Sequence, residues 1–184
     1  MDAEQDGRLK SGTISVVVAS NPEAYAVIRA EKQGKDVAVI SKKDCGSQQE
    51  FEQKILETLE RYQIELIILA GFMNILSSSF IARYRDRIIN VHPSLIPSFC
   101  GKGFYGLNVH KAALEYGVKV TGATVHYVNE VPDGGRIILQ KAVAIRKEDT
   151  PETLQKRVML HAEWKILPRA AEIVSKEIKK QKEV

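Results

Sequence analysis

From Thr13 to Ala70 the chain alternates short β-branched runs with amphipathic stretches: TISVVVAS, a helix-like segment from Pro22 to Lys32, DVAVIS, a second such segment from Gln48 to Tyr62, then ELIILA. Helical periodicity between runs of strand formers is the pattern of βαβ units, because parallel strands need a crossover between them. The runs are nearly continuous in apolar residues, as strands are when helices cover both faces of their sheet. This predicts a doubly wound α/β fold with a mostly parallel central sheet flanked by helices. Asn21 before Pro22 predicts a helix start with proline at its first position, and Ser47 with Glu50 predicts a capping box.

A short helix is expected over Ser77 to Tyr84, followed by the strand RIINVH and a Pro- and Gly-rich loop from Pro93 to Gly106. A helix from Leu107 to Tyr116 precedes two strands, VTGATVHYV and RIILQKAVAI, joined by the turn-like Asn129 to Gly135. Thr150 and Pro151 open a closing helical region that Pro168 is expected to break. No repeat or linker divides the chain, and 184 residues suit one domain over 1–184.

Several classes are disfavoured. The longest apolar run, Leu66 to Phe72, falls far short of the ~20 residues of a membrane-spanning helix, and MDAEQDGRLK has no secretory apolar region. A cytoplasmic protein is expected, without membrane partners. Cys45 and Cys100 are isolated and expected to be reduced thiols. The net charge of +4 owes much to KEIKKQKEV, a solvated helix end and not a nucleic-acid patch. The four histidines lack metal-ligand spacing, so no metal is expected.

In open α/β sheets ligands gather beyond the carboxyl ends of the parallel strands. Three segments fall there: Gly71-Phe72-Met73-Asn74 after ELIILA, Asn90 and His92 within RIINVHPS, and Asp133-Gly134-Gly135. Strand alternation puts Asn90 and His92 on one side, and Pro93 ends the strand, leaving His92 at the sheet rim. An amide and an imidazole so placed suit polarising a carbonyl and moving protons. A carboxylate such as Asp133 nearby would favour charged imidazole, although a histidine that merely caps the strand end has the same spacing. His126 reads as a core or interface histidine and His161 as structural, while GKGFYG from Gly101 reads as a mobile lid. No nucleophile motif supports covalent catalysis.

LAGFMNILSSSF, INVHPSLIPSFCGKGFYGLNVHKAAL and TGATVHYVNEVPDGGRIILQ, in that order and spacing, strongly resemble glycinamide ribonucleotide formyltransferases. SNPEAYA and AEWKILP extend the likeness over essentially the whole chain. The resemblance implies a Rossmann-like formyltransferase fold and transfer of a formyl group from 10-formyltetrahydrofolate, a co-substrate, to the amine of glycinamide ribonucleotide. It implies a monomer or homodimer acting on small molecules. Asn90, His92 and Asp133 match the family's catalytic trio. Folate would lie along Met73, Asn74, Ile75, Leu76, Phe80 and Ile88 and along Val128, Asn129 and Glu130, although Ile75, Ile88 and Val128 equally suit ordinary core packing. Gly71, His110 and Glu163 would meet the ribonucleotide.

The family carries a first strand and a glycine-rich phosphate loop ahead of the segment that begins here near Gly7, and this chain has neither. Weaker phosphate binding and exposed strand surface are therefore expected. Gln48 and Asn74 stand where basic residues are common in the family. Formyltetrahydrofolate hydrolase and a non-catalytic folate-binding remnant are the alternatives. Methionyl-tRNA formyltransferase fits less well, because the chain has no segment for a C-terminal barrel.

Overall fold

The computed structural model describes residues 1–183, and the chain divides into two compact units, the first Met1–Glu65 and the second from Leu66 onward. In the first unit, β1 (Val16–Ala19) and β2 (Asp36–Val39) pair in parallel across the crossover helix α2 (Tyr25–Lys32). A short helix α1 (Asp2–Gln5) precedes them, and α3 (Gln48–Arg61) follows. Asp2 pairs with Arg29 at 2.5 Å and Glu4 with Lys35 at 2.9 Å, tying α1 to α2 and its exit. Val18 and Val39 keep 36% and 46% of their surface exposed, so this small sheet leaves apolar strand positions uncovered.

The cap expected for α3 is present in altered form. The Ser47 hydroxyl accepts the Glu50 amide at 3.0 Å, while the Glu50 carboxylate reaches one residue farther back, to the amide of Gly46 at 2.8 Å. The start expected at Asn21-Pro22 is not where α2 begins. The Asn21 side chain accepts the Glu23 amide at 2.9 Å and its carbonyl accepts the Ala24 amide at 3.1 Å. That turn satisfies the donors a cap would have served, and the helix begins three residues later than Pro22, at Tyr25.

The second unit holds a four-stranded sheet in the order β3 (Ile67–Leu69), β4 (Ile88–His92), β5 (Val120–Tyr127), β6 (Ile137–Ala144). Strands β3 and β4 are parallel, and β5 and β6 add an antiparallel hairpin. Helix α4 (Ser78–Arg83) links β3 to β4, and α5 (Leu107–Tyr116) lies between β4 and β5. Helix α6 (Pro151–Val158) opens with the expected Thr150 cap and Pro151 in its first turn, then passes through a π turn (Met159–Glu163) into α7 (Trp164–Lys182). The π turn and α7 pack on β5 and β6, and α5 packs on α6. Val109, Val125, Leu154, Val158 and Ala170 have no exposed surface. Each such aliphatic side chain larger than alanine contributes roughly 1.5–3 kcal/mol on burial.

Pro168 does not break the last helix, which runs through it. Proline lacks the N–H that would reach the carbonyl four residues back, that of Trp164, where α7 opens directly after the π turn. No helix among the described residues is long and apolar enough to cross a membrane.

The β5–β6 hairpin is irregular at its tip end. His126 pairs with Ile137 while Val125 pairs with Leu139, so the register slips and Ile138 is left over in β6. Gly135 closes the connecting loop against β5, where an added Cβ would lie 1.7 Å from the Tyr127 carbonyl oxygen. Gly135→Ala should therefore destabilise the protein by about 1–3 kcal/mol in urea unfolding. An unchanged midpoint would show that the loop closes less tightly than this.

Candidate active site

A row of polar side chains crosses one face of the four-stranded sheet, and it follows from strand alternation and register. Asn90 stands opposite His126, and His92 opposite Thr124. Gln140 pairs with Thr124 on the far side. Partners across an antiparallel pair share a face, so Asn90, His92, Thr124, His126 and Gln140 form one polar row. Ile89, Ala123 and Val125, on the opposite face, are fully buried.

Thr124 fixes the loop that leaves β4. Its hydroxyl donates to the Ser94 carbonyl at 2.7 Å and accepts the Ile96 amide at 3.1 Å. The buried Ser94 hydroxyl donates to the Ser98 carbonyl at 2.6 Å, and the Gln140 amide donates to the Ile96 carbonyl at 3.0 Å. The base of the Pro93 to Gly106 loop is thus stapled to both hairpin strands. His92 stands at the rim expected for it, as the last residue of β4, and the loop tip closes over the site and buries it to 5% exposure.

The His92 ring donates from Nε2 to the Phe99 carbonyl at 2.9 Å, and its Nδ1 lies 3.5 Å from Asp133 Oδ2. The same carboxylate oxygen accepts the Gly101 amide at 2.8 Å. Asp133 Oδ1 lies 3.6 Å from His126 Nε2. Burial would raise the Asp133 carboxyl, but the approach of the His126 ring, the Gly101 amide and the nearby His92 ring outweigh it and hold the group below its ordinary range. The loop tip and the carboxylate loop both reach these positions through left-handed backbone, with φ of 49° at Phe99 and 56° at Asp133. Non-glycine residues rarely adopt that conformation, and it concentrates at functional sites.

Asn90, His92 and Asp133 are therefore brought together, and His126 joins them unannounced by sequence reasoning. Asn90 Nδ2 donates to His126 Nε2 at 3.2 Å, and His126 Nδ1 donates to the Tyr127 carbonyl at 2.8 Å. The signal was present in VTGATVHYV, where Thr124 and His126 place two polar side chains at strand period inside an apolar run. Assembled in this way, an amide, an imidazole and an ionised carboxylate can stabilise a developing oxyanion and move a proton.

Because β3 runs parallel to β4, the segment after β3 emerges at the sheet edge where His92 lies. Gly71 turns there with φ of 67°. Met73 and Ile75 are 60% and 73% exposed, so Ile75 is not core packing, whereas Leu76, Phe80 and Ile88 are buried. Asn74, Val128 and Asn129 are half-buried and Glu130 is exposed. The Asn129 side chain shapes the carboxylate loop by accepting the Val131 amide at 3.0 Å.

His110 has no exposed surface and neither of its ring nitrogens has a partner. It offers no face to a substrate in this arrangement. Burial lowers its pKa to about 4, and proximity to His92 adds to the drop. Glu163, half-buried in the π turn, is pushed up to about 7 by burial. His161 in the same turn is exposed. Burial and the Asp133 charge raise the Cys100 thiol, whose sulfur donates to the Pro97 carbonyl at 3.2 Å. Among the described residues no group of three or more His, Cys, Asp or Glu is arranged to hold a metal ion.

A formyl transferase family model matches residues 1–171. The trifunctional purine biosynthetic protein adenosine-3 of Gallus gallus is 44% identical over 88% of this chain, which spans 16% of that much longer protein. The phosphoribosylglycinamide formyltransferase of Haemophilus influenzae is 37% identical over 84% of the chain and 70% of its own length. The crystal structure of glycinamide ribonucleotide transformylase 1 from Symbiobacterium toebii superposes with a TM-score of 0.88 at 35% identity, covering 96% of this chain and 80% of that one. With a family match over residues 1–171, nearly its whole length, the chain belongs to the formyl transferase family.

Proposed function

We propose that the chain acts as one formyltransferase domain, moving a formyl group from 10-formyltetrahydrofolate to the amine of glycinamide ribonucleotide. The observation that carries this reading is the convergence of Asn90, His92 and Asp133 on one sheet face beneath the Phe99–Gly101 loop, in a chain similar to proteins named for that reaction. The amine lone pair attacks the formyl carbon, a new C–N bond forms, and the carbonyl electrons move onto oxygen. An N–H of Asn90 stabilises that oxyanion, joined by the His92 Nε2–H when it exchanges the Phe99 carbonyl for the substrate. As the carbonyl re-forms, the bond to the folate nitrogen breaks. The proton lost by the attacking amine reaches the departing nitrogen through His92, with Asp133 balancing charge.

Met73 and Ile75, exposed and apolar, suit the flat ring system of a folate, which also meets Asn74, Leu76, Phe80 and Ile88 and, from the carboxylate loop, Val128, Asn129 and Glu130. Gly71, His110 and Glu163 serve the ribonucleotide, His110 as a buried support and Glu163 as an acceptor for its hydroxyls. Both reactants are small molecules consumed in the reaction. We assign the protein to the cytoplasm, as a monomer or homodimer.

The direct test is mass detection of formylated ribonucleotide from these two substrates. His92→Ala should lower turnover by about 10²–10⁴-fold while titration calorimetry with a folate finds binding nearly unchanged; turnover at the parent rate would overturn the assignment. Glu163 gives a second test. Its folded-state pKa of about 7 lies above its ordinary 4.5, so its contribution to stability is full below that ordinary value and lost as pH rises through the folded one. Glu163→Gln should be more stable than the parent near pH 8, by on the order of 2 kcal/mol, and little different near pH 4. It should also raise the KM for the ribonucleotide. A stability difference independent of pH would refute the burial argument.

A further inference from the structure

We propose that His126 is a positioning residue for this reaction: it fixes the rotation of the Asn90 side chain so that an amide N–H, and not the amide oxygen, faces the reacting carbonyl. The inference rests on the formyl-transfer reading above and adds a residue to it. His126 stands directly across the strand pair from Asn90 and is 2% exposed, so water does not compete for its ring. Its Nδ1 faces the Tyr127 carbonyl at 2.8 Å, an acceptor, so Nδ1 carries the hydrogen. Nε2, 3.2 Å from Asn90 Nδ2, is then the acceptor.

That tautomer removes an ambiguity intrinsic to asparagine. The terminal torsion of an asparagine is broad and roughly two-fold, so a half-turn exchanges oxygen for nitrogen at little cost of its own. Turned the other way, Asn90 would set its oxygen against the bare Nε2 lone pair and leave both groups unsatisfied, a penalty of about 1–3 kcal/mol. His126 therefore holds one amide hydrogen and directs the other away from itself. Only that orientation stabilises an oxyanion. The groups facing His126 are Asn90 from β4, the Tyr127 carbonyl from its own strand and Asp133 from the carboxylate loop. At 3.6 Å the Asp133 Oδ1 is the more distant neighbour of Nε2, while the other oxygen of that carboxylate, Oδ2, accepts the Gly101 amide at 2.8 Å. A histidine that merely filled the core would leave the rotation of Asn90 undetermined.

The test uses the full chain and two substitutions. Nitrogen-15 NMR of the parent protein should show hydrogen on His126 Nδ1 and none on Nε2, with an exchange-protected Asn90 side-chain amide. His126→Phe keeps a ring without the acceptor, and should lower kcat about a hundredfold with both KM values within about twofold, as for a contact made in the transition state. It should also expose the Asn90 amide to exchange. His126→Gln, which restores an acceptor oxygen, should recover most of both losses. Hydrogen on Nε2 in the parent, or undiminished kcat in the phenylalanine variant, would overturn the proposal. If the parent protein transfers no formyl group, the functional reading fails, and the tautomer and Asn90 protection still decide the positioning role. If the phenylalanine variant does not fold, the glutamine variant and the parent spectra decide it.

Discussion

A carboxylate withdrawn from water must find donors, and Asp133 draws its neighbours from separate stretches of chain. The Gly101 amide comes from the loop after β4 and the His92 ring from the end of β4, while the His126 ring of β5 stands on a third side at 3.6 Å. These groups outweigh the burial of Asp133 and keep it ionised. Two non-glycine residues in left-handed backbone, Phe99 and Asp133, are held in place around the same group, at a cost on the order of 1 kcal/mol or more each. That strain persists because the loop base is fixed independently, by Thr124 and Gln140 acting on Ser94 and Ile96. Loop closure, carboxylate charge and orientation of the histidine are consequently one arrangement.

Periodicity made much of the fold legible. The βαβ rhythm gave the strands and helices in order, and the period of two was enough to place Asn90 and His92 on one face. Asp133 was singled out by its place in the turn-like segment between the last two strands, but only motif resemblance matched it to a catalytic trio, because a loop residue carries no periodic signal. His126 was missed for a physical reason: a single polar residue in an apolar strand looks like a satisfied core group until its cross-strand neighbour is identified, and cross-strand register is not written in local sequence. The burial of His92 escaped for a similar reason, since Pro93 marks where the strand ends but not that the following loop folds back. The start of α2 was misjudged because the Asn21 side-chain turn satisfied the backbone first, and the passage through Pro168 because that proline falls early in a helix that opens at Trp164.

The apolar segment after β3 shows how little burial can be inferred from residue type alone. Met73 and Ile75 stand open while Leu76 and Phe80 are buried, although all four lie within one short stretch. Helix α4 begins at Ser78, capped by Ser77, and only the residues close to that start turn inward. Exposed apolar side chains beside an arrangement of polar groups are the usual composition of a ligand cleft.

The register slip in the β5–β6 hairpin separates two demands that neighbouring residues usually share. From Val120 to Val125 the pairing with β6 is regular and serves the core; past Ile138 it resumes one residue out of step, bringing Arg136 over the Tyr127 ring at 4.4 Å. The loop bearing Asp133 hangs from the offset portion alone. Chain length in β6 is therefore a calibration of where the carboxylate arrives: removing the surplus residue would give a more regular ladder and carry the acid to a different place above the sheet.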